Sequence, residues 1–155
     1  MRKLVSTAGL AAAVALCVAG TAYPASGTTI HLVEKDQAFN FVDNPPTSKR
    51  HIASIGDMFA FTSSLWTKAN KRAGTANASC VVTSGGKHPV FSCVGAFDLA
   101  GGELELQTVM RDGVATTRIA IVGGTGAYEG ARGSMISHTR GPNSPYSDDT
   151  VHLLG

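Results

Sequence analysis

The stretch Ile119–Met135, IAIVGGTGAYEGARGSM, decides how this chain folds. Five of its residues are the glycines Gly123, Gly124, Gly126, Gly130 and Gly133. An apolar run, Ile119-Ala120-Ile121-Val122, stands before them, and the alternating run Ser134-Met135-Ile136-Ser137-His138 follows. Glycine tolerates positive φ and lets two backbones approach closely. A glycine cluster between two strand-like runs therefore predicts a sharp corner where one strand hands over to its neighbour.

Working outward, the remaining segments are also short and strand-like, with no long helix after the leader. Glu103–Met110 alternates strictly, with Leu104, Leu106 and Met110 on one face and Glu103, Glu105 and Gln107 on the other. The Ala76–Thr83 and Val90–Asp98 segments flank Gly85-Gly86-Lys87 as a hairpin. Ala78, Cys80 and Val82 share a face with Phe91, Cys93, Gly95 and Phe97, whereas Ser79, Thr83, Ser92 and Asp98 point away. Thr28–Glu34, Met58–Trp66, Thr116–Val122, Ala131–His138 and Thr150–Leu154 complete the set, and Lys35–Arg50 reads as loop or irregular edge. About eight antiparallel strands close naturally into a small barrel, with a β-sandwich as the competing closure.

The N-terminus carries a different signal. Arg2-Lys3 is a basic region, Leu4–Ala19 an apolar core, and Gly20 and Ala22 a small-residue cleavage site. Residues 1–22 are expected to be a signal peptide, cleaved after Ala22 or as late as Ala25, with residues 28–155 forming the barrel domain. The apolar run is shorter than the ~18–20 residues that span a bilayer. The bulky Leu16 before Cys17 argues against a lipoprotein site. The expected location is secreted or extracellular, with no membrane association after cleavage. Losing Arg2 and Lys3 takes the thirteen basic residues to eleven, equal to the eleven acidic ones. A neutral mature chain gives no reason to expect nucleic acid or an anionic membrane as partner.

Cleavage also removes Cys17 and leaves Cys80 and Cys93, which in an exported chain read as one disulfide. They are equidistant from a turn centre between Gly86 and Lys87, so an antiparallel hairpin sets them opposite each other. The loop so closed is worth about 3 kcal/mol in the chain-entropy account.

Other motifs exclude chemistry. Gly124-Thr125-Gly126 lacks the third glycine of a dinucleotide loop, because position 129 is Glu129, and no helix follows. His31, His51, His88, His138 and His152 are scattered without ligand spacing, so no metal is expected. No nucleophile–base constellation is legible, and no cofactor is implied.

Several stretches together resemble the allene oxide cyclase and dirigent group of barrels. GGTGAYEGARG at 123–133 is similar to that group's glycine signature, and IGDMFAFTSSLW at 55–66 resembles the "GD…FTN.LY" stretch of the cyclases. GTANASCVV at 74–82 resembles the cyclase strand that carries a cysteine, and Glu34-Lys35-Asp36 a short acidic E-x-D near the first strand. Gly102–Gln107 and Leu154-Gly155 fit the neighbouring and last strands, so the resemblance runs from about Ile30 to Gly155. It implies an eight-stranded antiparallel barrel with a largely apolar lumen, assembling as a homodimer or homotrimer. Members of the group orient a flexible substrate for cyclisation or radical coupling in a dry pocket.

Carried over residue by residue, the cyclase site is incomplete. His31 stands where the family has a first-strand carboxylate, Val33 where an asparagine follows, Ser63 in place of the FTN asparagine, and Met110 in place of a tyrosine. Only Cys80 matches. A chain so altered lacks the polar groups that stabilise epoxide opening, and true allene oxide cyclase activity is not expected.

The candidate ligand-binding residues are Phe59, Phe61, Ser63, Phe91, Phe97 and Tyr128, and the phenylalanines serve equally as packed core. Tyr128, like Trp66, suits either a mouth or an oligomer contact. His31 is a candidate proton relay if inward and an ordinary surface residue if outward. Arg132 would bind a ligand carboxylate, or else pair with Glu129 or Asp57 at the rim. The leading functional expectation is a secreted barrel that binds a small, mostly apolar molecule and steers its cyclisation or coupling. The alternative is a non-catalytic extracellular barrel that acts through its surface, as an interaction or envelope-associated protein.

Overall fold

The computed structural model describes residues 27–44 and 52–155, so the leader, Cys17 and its cleavage sites lie outside the described residues. The described chain is eight strands and one 3-10 turn: β1 (Thr28–Val42), β2 (Met58–Thr67), β3 (Arg72–Ser84), β4 (Val90–Leu99), β5 (Gly102–Arg111), β6 (Thr116–Gly124), β7 (Gly133–Thr139) and β8 (Tyr146–Leu153). Each strand pairs antiparallel with its sequence neighbours, and β8 returns to β1, so the sheet closes into a barrel. Closure rules out the sandwich. It also leaves no free sheet edge over Thr28–Lys35, because each of those residues has a register partner on β8.

The alternation read from the sequence sets the walls. Leu32, Leu65, Ala76, Phe97, Leu104, Ile121, Met135 and Val151 point inward and form one buried cluster with Leu99 and Leu106. Leu65, Leu104 and Val151 are completely buried. Burying a side chain of this kind contributes about 1.5–3 kcal/mol, and the cluster closes one end of the lumen.

Register shifts lie between Asp36 and Ala38, Leu65 and Trp66, Val82 and Ser84, and Glu105 and Leu106. Each such irregularity bends its strand and increases local twist, which a small closed barrel requires.

The glycine stretch forms the expected corner. After β6 the chain makes the 3-10 turn Gly126–Tyr128, entered with Gly126 at φ +60°, and reaches β7 at Gly133. Ala127 N–H donates to the Gly101 carbonyl at 2.7 Å and Thr125 N–H to that of Glu103 at 2.9 Å. A Cβ at Gly133 would collide with the His152 carbonyl oxygen.

Three boundaries differ most from expectation: β3 begins at Arg72, not Ala76, β8 begins at Tyr146, not Thr150, and β1 is longer than read. β1 does not end at Glu34 but continues to Val42, across a segment that the sequence suggested was loop. The bulge at Gln37 resets its phase, so Phe39 and Phe41 lie opposite Phe61 and Phe59 of β2. Pairing with β8 stops at Lys35, so beyond it β1 is paired on one side only, by β2, which is itself paired to β3.

Candidate functional site

Moving along the lumen from the packed cluster, the inward residues become small or polar. Glu34 follows Leu32, Ser63 precedes Leu65, Ala78 follows Ala76, Gly95 precedes Phe97, and Asp149 precedes Val151. Absent bulk at Ala78 and Gly95 leaves a lumen cavity of about 60 Å³. Its wall includes Glu34, Phe61, Phe97, Leu106, Thr108, Met110, Ile119 and Met135, with Cys93 at its side.

Two carboxyls meet at the β1–β8 seam. Glu34 is half-buried, and Asp149 is 1% exposed with both oxygens lacking a well-formed hydrogen bond. Burial pushes the Glu34 carboxyl up to about 8, with further contributions from the Asp149 charge and, in part, Asp36; the Ser63 hydroxyl opposes the rise. Burial also raises Asp149, against the hydroxyl of Ser137, its register partner on β7. Two facing ionised carboxylates are acceptors only and repel each other. One proton held between them turns one into a donor and supplies the missing bond. At neutral pH the pair therefore presents a protonated carboxyl beside an apolar cavity, which is an arrangement for general acid catalysis or for binding a ligand acceptor.

The expected site residues are distributed as follows. Phe61 and Phe97 border the cavity, and Ser63 is buried beside Glu34, its hydroxyl donating to Asp36 Oδ1 at 3.3 Å. Phe59 contacts Phe91 edge-on at 5.1 Å and stacks with Phe39 at 5.4 Å and Phe61 at 6.3 Å, forming an aromatic cluster across β1, β2 and β4. Tyr128 packs against the core cluster instead. His31 is on the outer wall, where its Nδ1 meets Thr150 Oγ1 at 3.3 Å. Arg132 is exposed in the β6–β7 corner, and the one salt bridge among the described residues is Arg140–Asp148. Cys80 and Cys93 are register partners and are disulfide-bonded, with Cα atoms 4.1 Å apart.

Sequence reasoning placed the first-strand carboxylate position at His31, but the inward carboxylate of β1 is Glu34, in phase with buried Leu32. Asp149 was not singled out at all. Its signal was the same alternation, two residues before the buried Val151. Among the described residues no group of three or more His, Cys, Asp or Glu is placed to hold a metal ion, and no helix is long and apolar enough to cross a membrane.

No family model matches the chain, and no curated protein matches it in sequence. Solved structures do. It is similar to a pyocyanin demethylase at 23% identity and TM-score 0.70, covering 82% of this chain and 100% of that one. It is similar to AbnU, an exo-specific intermolecular Diels–Alderase, at 12% identity and TM-score 0.62, covering 82% and 98%. The pterocarpan synthase dirigent protein GePTS1 aligns at 18% identity and TM-score 0.64, covering 83% and 90%. With a closed antiparallel barrel of eight strands and these structural neighbours, the chain has the dirigent and cyclase barrel fold.

Proposed function

We propose that this barrel takes a small, mostly apolar molecule into its lumen and directs its cyclisation or coupling, with Glu34 as proton donor. The observation that carries this reading is a carboxyl raised to about 8 at the wall of a mostly apolar cavity. A neutral acid in such a place can protonate a carbonyl or an alkene and stabilise the charge that develops. Cyclisation is a net isomerisation, so the proton lent to the substrate returns when the product forms and no redox partner is needed; for coupling, the barrel only orients radicals that a separate one-electron oxidant has generated. The names of the neighbouring barrels, a Diels–Alderase and a dirigent protein, support a role in steering ring formation or coupling. Export through residues 1–22 belongs to the same proposal, and the disulfide is consistent with it.

The lumen cavity of about 60 Å³ is smaller than the roughly 150 Å³ that holds a benzene ring. Uptake therefore involves movement of Met110 and Phe61, the flexible and aromatic side chains that line the cavity beside the Phe59 cluster. A thermal-shift screen with polyenes, phenols and fatty acids tests binding, followed by product analysis with Glu34→Gln. The expected result is a positive shift with at least one class and loss of product selectivity in the variant. No shift with any class would overturn the proposal.

A second reading, a non-catalytic barrel working through its surface, is favoured by the exposed apolar side chains of the β1 extension and of the segment before β2. Phe39 is 67% exposed, Ile55 69% and Phe41 46%. Under that reading Phe39→Ser abolishes partner binding and Glu34→Gln changes nothing.

A further inference from the structure

A second concave site lies on the outer wall, separate from the lumen. Val33 and Lys35 of β1 form its floor, Trp66 of β2 and Tyr146 of β8 stand on either side, and Lys68 and Arg140 reach over it. Its volume is about 430 Å³. Val33 is the register partner of both Trp66 and Asp148, so the two walls are one strand away on each side.

The aromatic walls are held in place. Trp66 Nε1 donates to Ser64 Oγ at 2.9 Å, and the Arg72 guanidinium lies 5.6 Å from the indole centroid. The Lys35 Nζ and Arg140 Cζ atoms both lie over the Tyr146 ring, at 5.7 and 5.6 Å. The turn that carries Lys68 is fixed by Asn70 in the left-handed region and by its N–H donating to the Thr67 carbonyl at 2.9 Å.

Charge here is unbalanced. Asp148 accepts from Arg140 Nε at 2.9 Å and Nη2 at 2.7 Å, which neutralises that guanidinium. Lys35 and Lys68 make no salt bridge among the described residues. Three cations stand against the single Asp148 carboxylate, which feels Lys68 as well as Arg140, so the concave site keeps a positive surplus that a further anion would relieve. Flat aromatic walls add a preference for a ring face over a bare inorganic ion.

We propose that this groove binds a small organic anion built on a ring, its carboxylate or sulfate held by Lys35 and Lys68 and its ring against Trp66. An aromatic acid and an acidic sugar share that chemistry. This site is independent of the lumen reading.

Trp66 is the single tryptophan of the chain, so its emission reports on the groove alone. The purified protein is titrated with benzoate and with an oligogalacturonate, and with benzamide and inorganic sulfate as controls. A saturable emission change is expected with one of the two ring anions, the responding arm identifying its source. Binding should weaken at least about tenfold in Lys68→Glu and on raising salt to physiological strength. Lys68 is exposed on a turn, and Lys35→Gln provides a second variant with the same expected weakening. Glu34→Gln should bind normally, which separates failure of this site from failure of the lumen proposal. No saturable change with either ring anion, or unaltered binding in both lysine variants, would overturn the inference. So would sulfate or benzamide binding as tightly as the ring anions, sulfate then being an adventitious ion only.

Discussion

Glu34 on β1 and Asp149 on β8 meet diagonally across the seam where the barrel closes, two residues apart in register; the Asp149 charge raises the Glu34 carboxyl, and the Glu34 hydrogen bond favours the Asp149 carboxylate. Their positions in the chain are far apart. The seam alone makes them a pair, and it places a proton beside the lumen cavity.

That pair makes stability depend on pH in a defined direction. Glu34 is raised from 4.5 to about 8 in the folded chain, so folding favours its protonated form. Its contribution is fully present below the unfolded value and is lost as pH rises through about 8. Thermal melts should therefore show a falling melting temperature between about pH 5 and 9, and Glu34→Gln should flatten that slope. A wild-type curve with no slope through this window would contradict the shared proton.

Asp57 acts in the opposite sense. It is 1% exposed and accepts from the backbone N–H of Ser54 at 2.7 Å and of Asn44 at 2.9 Å, and from Ser54 Oγ at 3.0 Å. The Ser54 and Asn44 backbone donors hold its carboxyl below the ordinary value. Its stabilisation is present above the unfolded value and lost as pH falls through the folded one. Asp57→Ala should lower the melting temperature at pH 7 and remove part of the acid sensitivity. Hydrogen exchange at the Asn44 and Ser54 amides should accelerate first.

The bridge between Cys80 and Cys93 spans a sequence separation of 13. Reduction, or the double replacement Cys80→Ala with Cys93→Ala, should destabilise by about 3 kcal/mol and lower the melting temperature by roughly 10 °C. Intact mass of the native protein should be two hydrogens below the fully reduced value. Two titratable thiols in the native state would refute the pairing.

At Gly133 an added Cβ has no room, because the His152 carbonyl oxygen occupies that space and is itself fixed in β8. Gly133→Ala should cost more than about 2 kcal/mol by urea unfolding. Gly113→Ala, where nothing lies within 4 Å but φ is +74°, should cost about 1 kcal/mol from backbone strain alone. Equal costs at the two positions would remove the close-approach argument.

Much of the fold was legible because strand alternation is a local property. The face that carries Ala78, Cys80 and Val82 was readable from side-chain period, and the Cys80–Cys93 register from the turn between them. The extension of β1 to Val42 was not readable. It depends on a bulge at Gln37 that brings Phe39 and Phe41 into phase with Phe61 and Phe59, and a bulge has no local signature here. The candidate site was harder still. Glu34 was visible as part of an acidic E-x-D, but its inward direction follows from Leu32 being buried. Its partner comes from the last strand.

By itself the sequence determined the glycine corner, the disulfide pair, the number of strands and which faces are apolar, since each follows from neighbours along the chain. Only the tertiary structure decided that β8 closes on β1, which acid Glu34 meets, and that Trp66, Lys35 and Tyr146 share one groove. Strand pairing across the closing seam is set by twist and shear accumulated around the whole barrel. No short stretch of residues contains that sum.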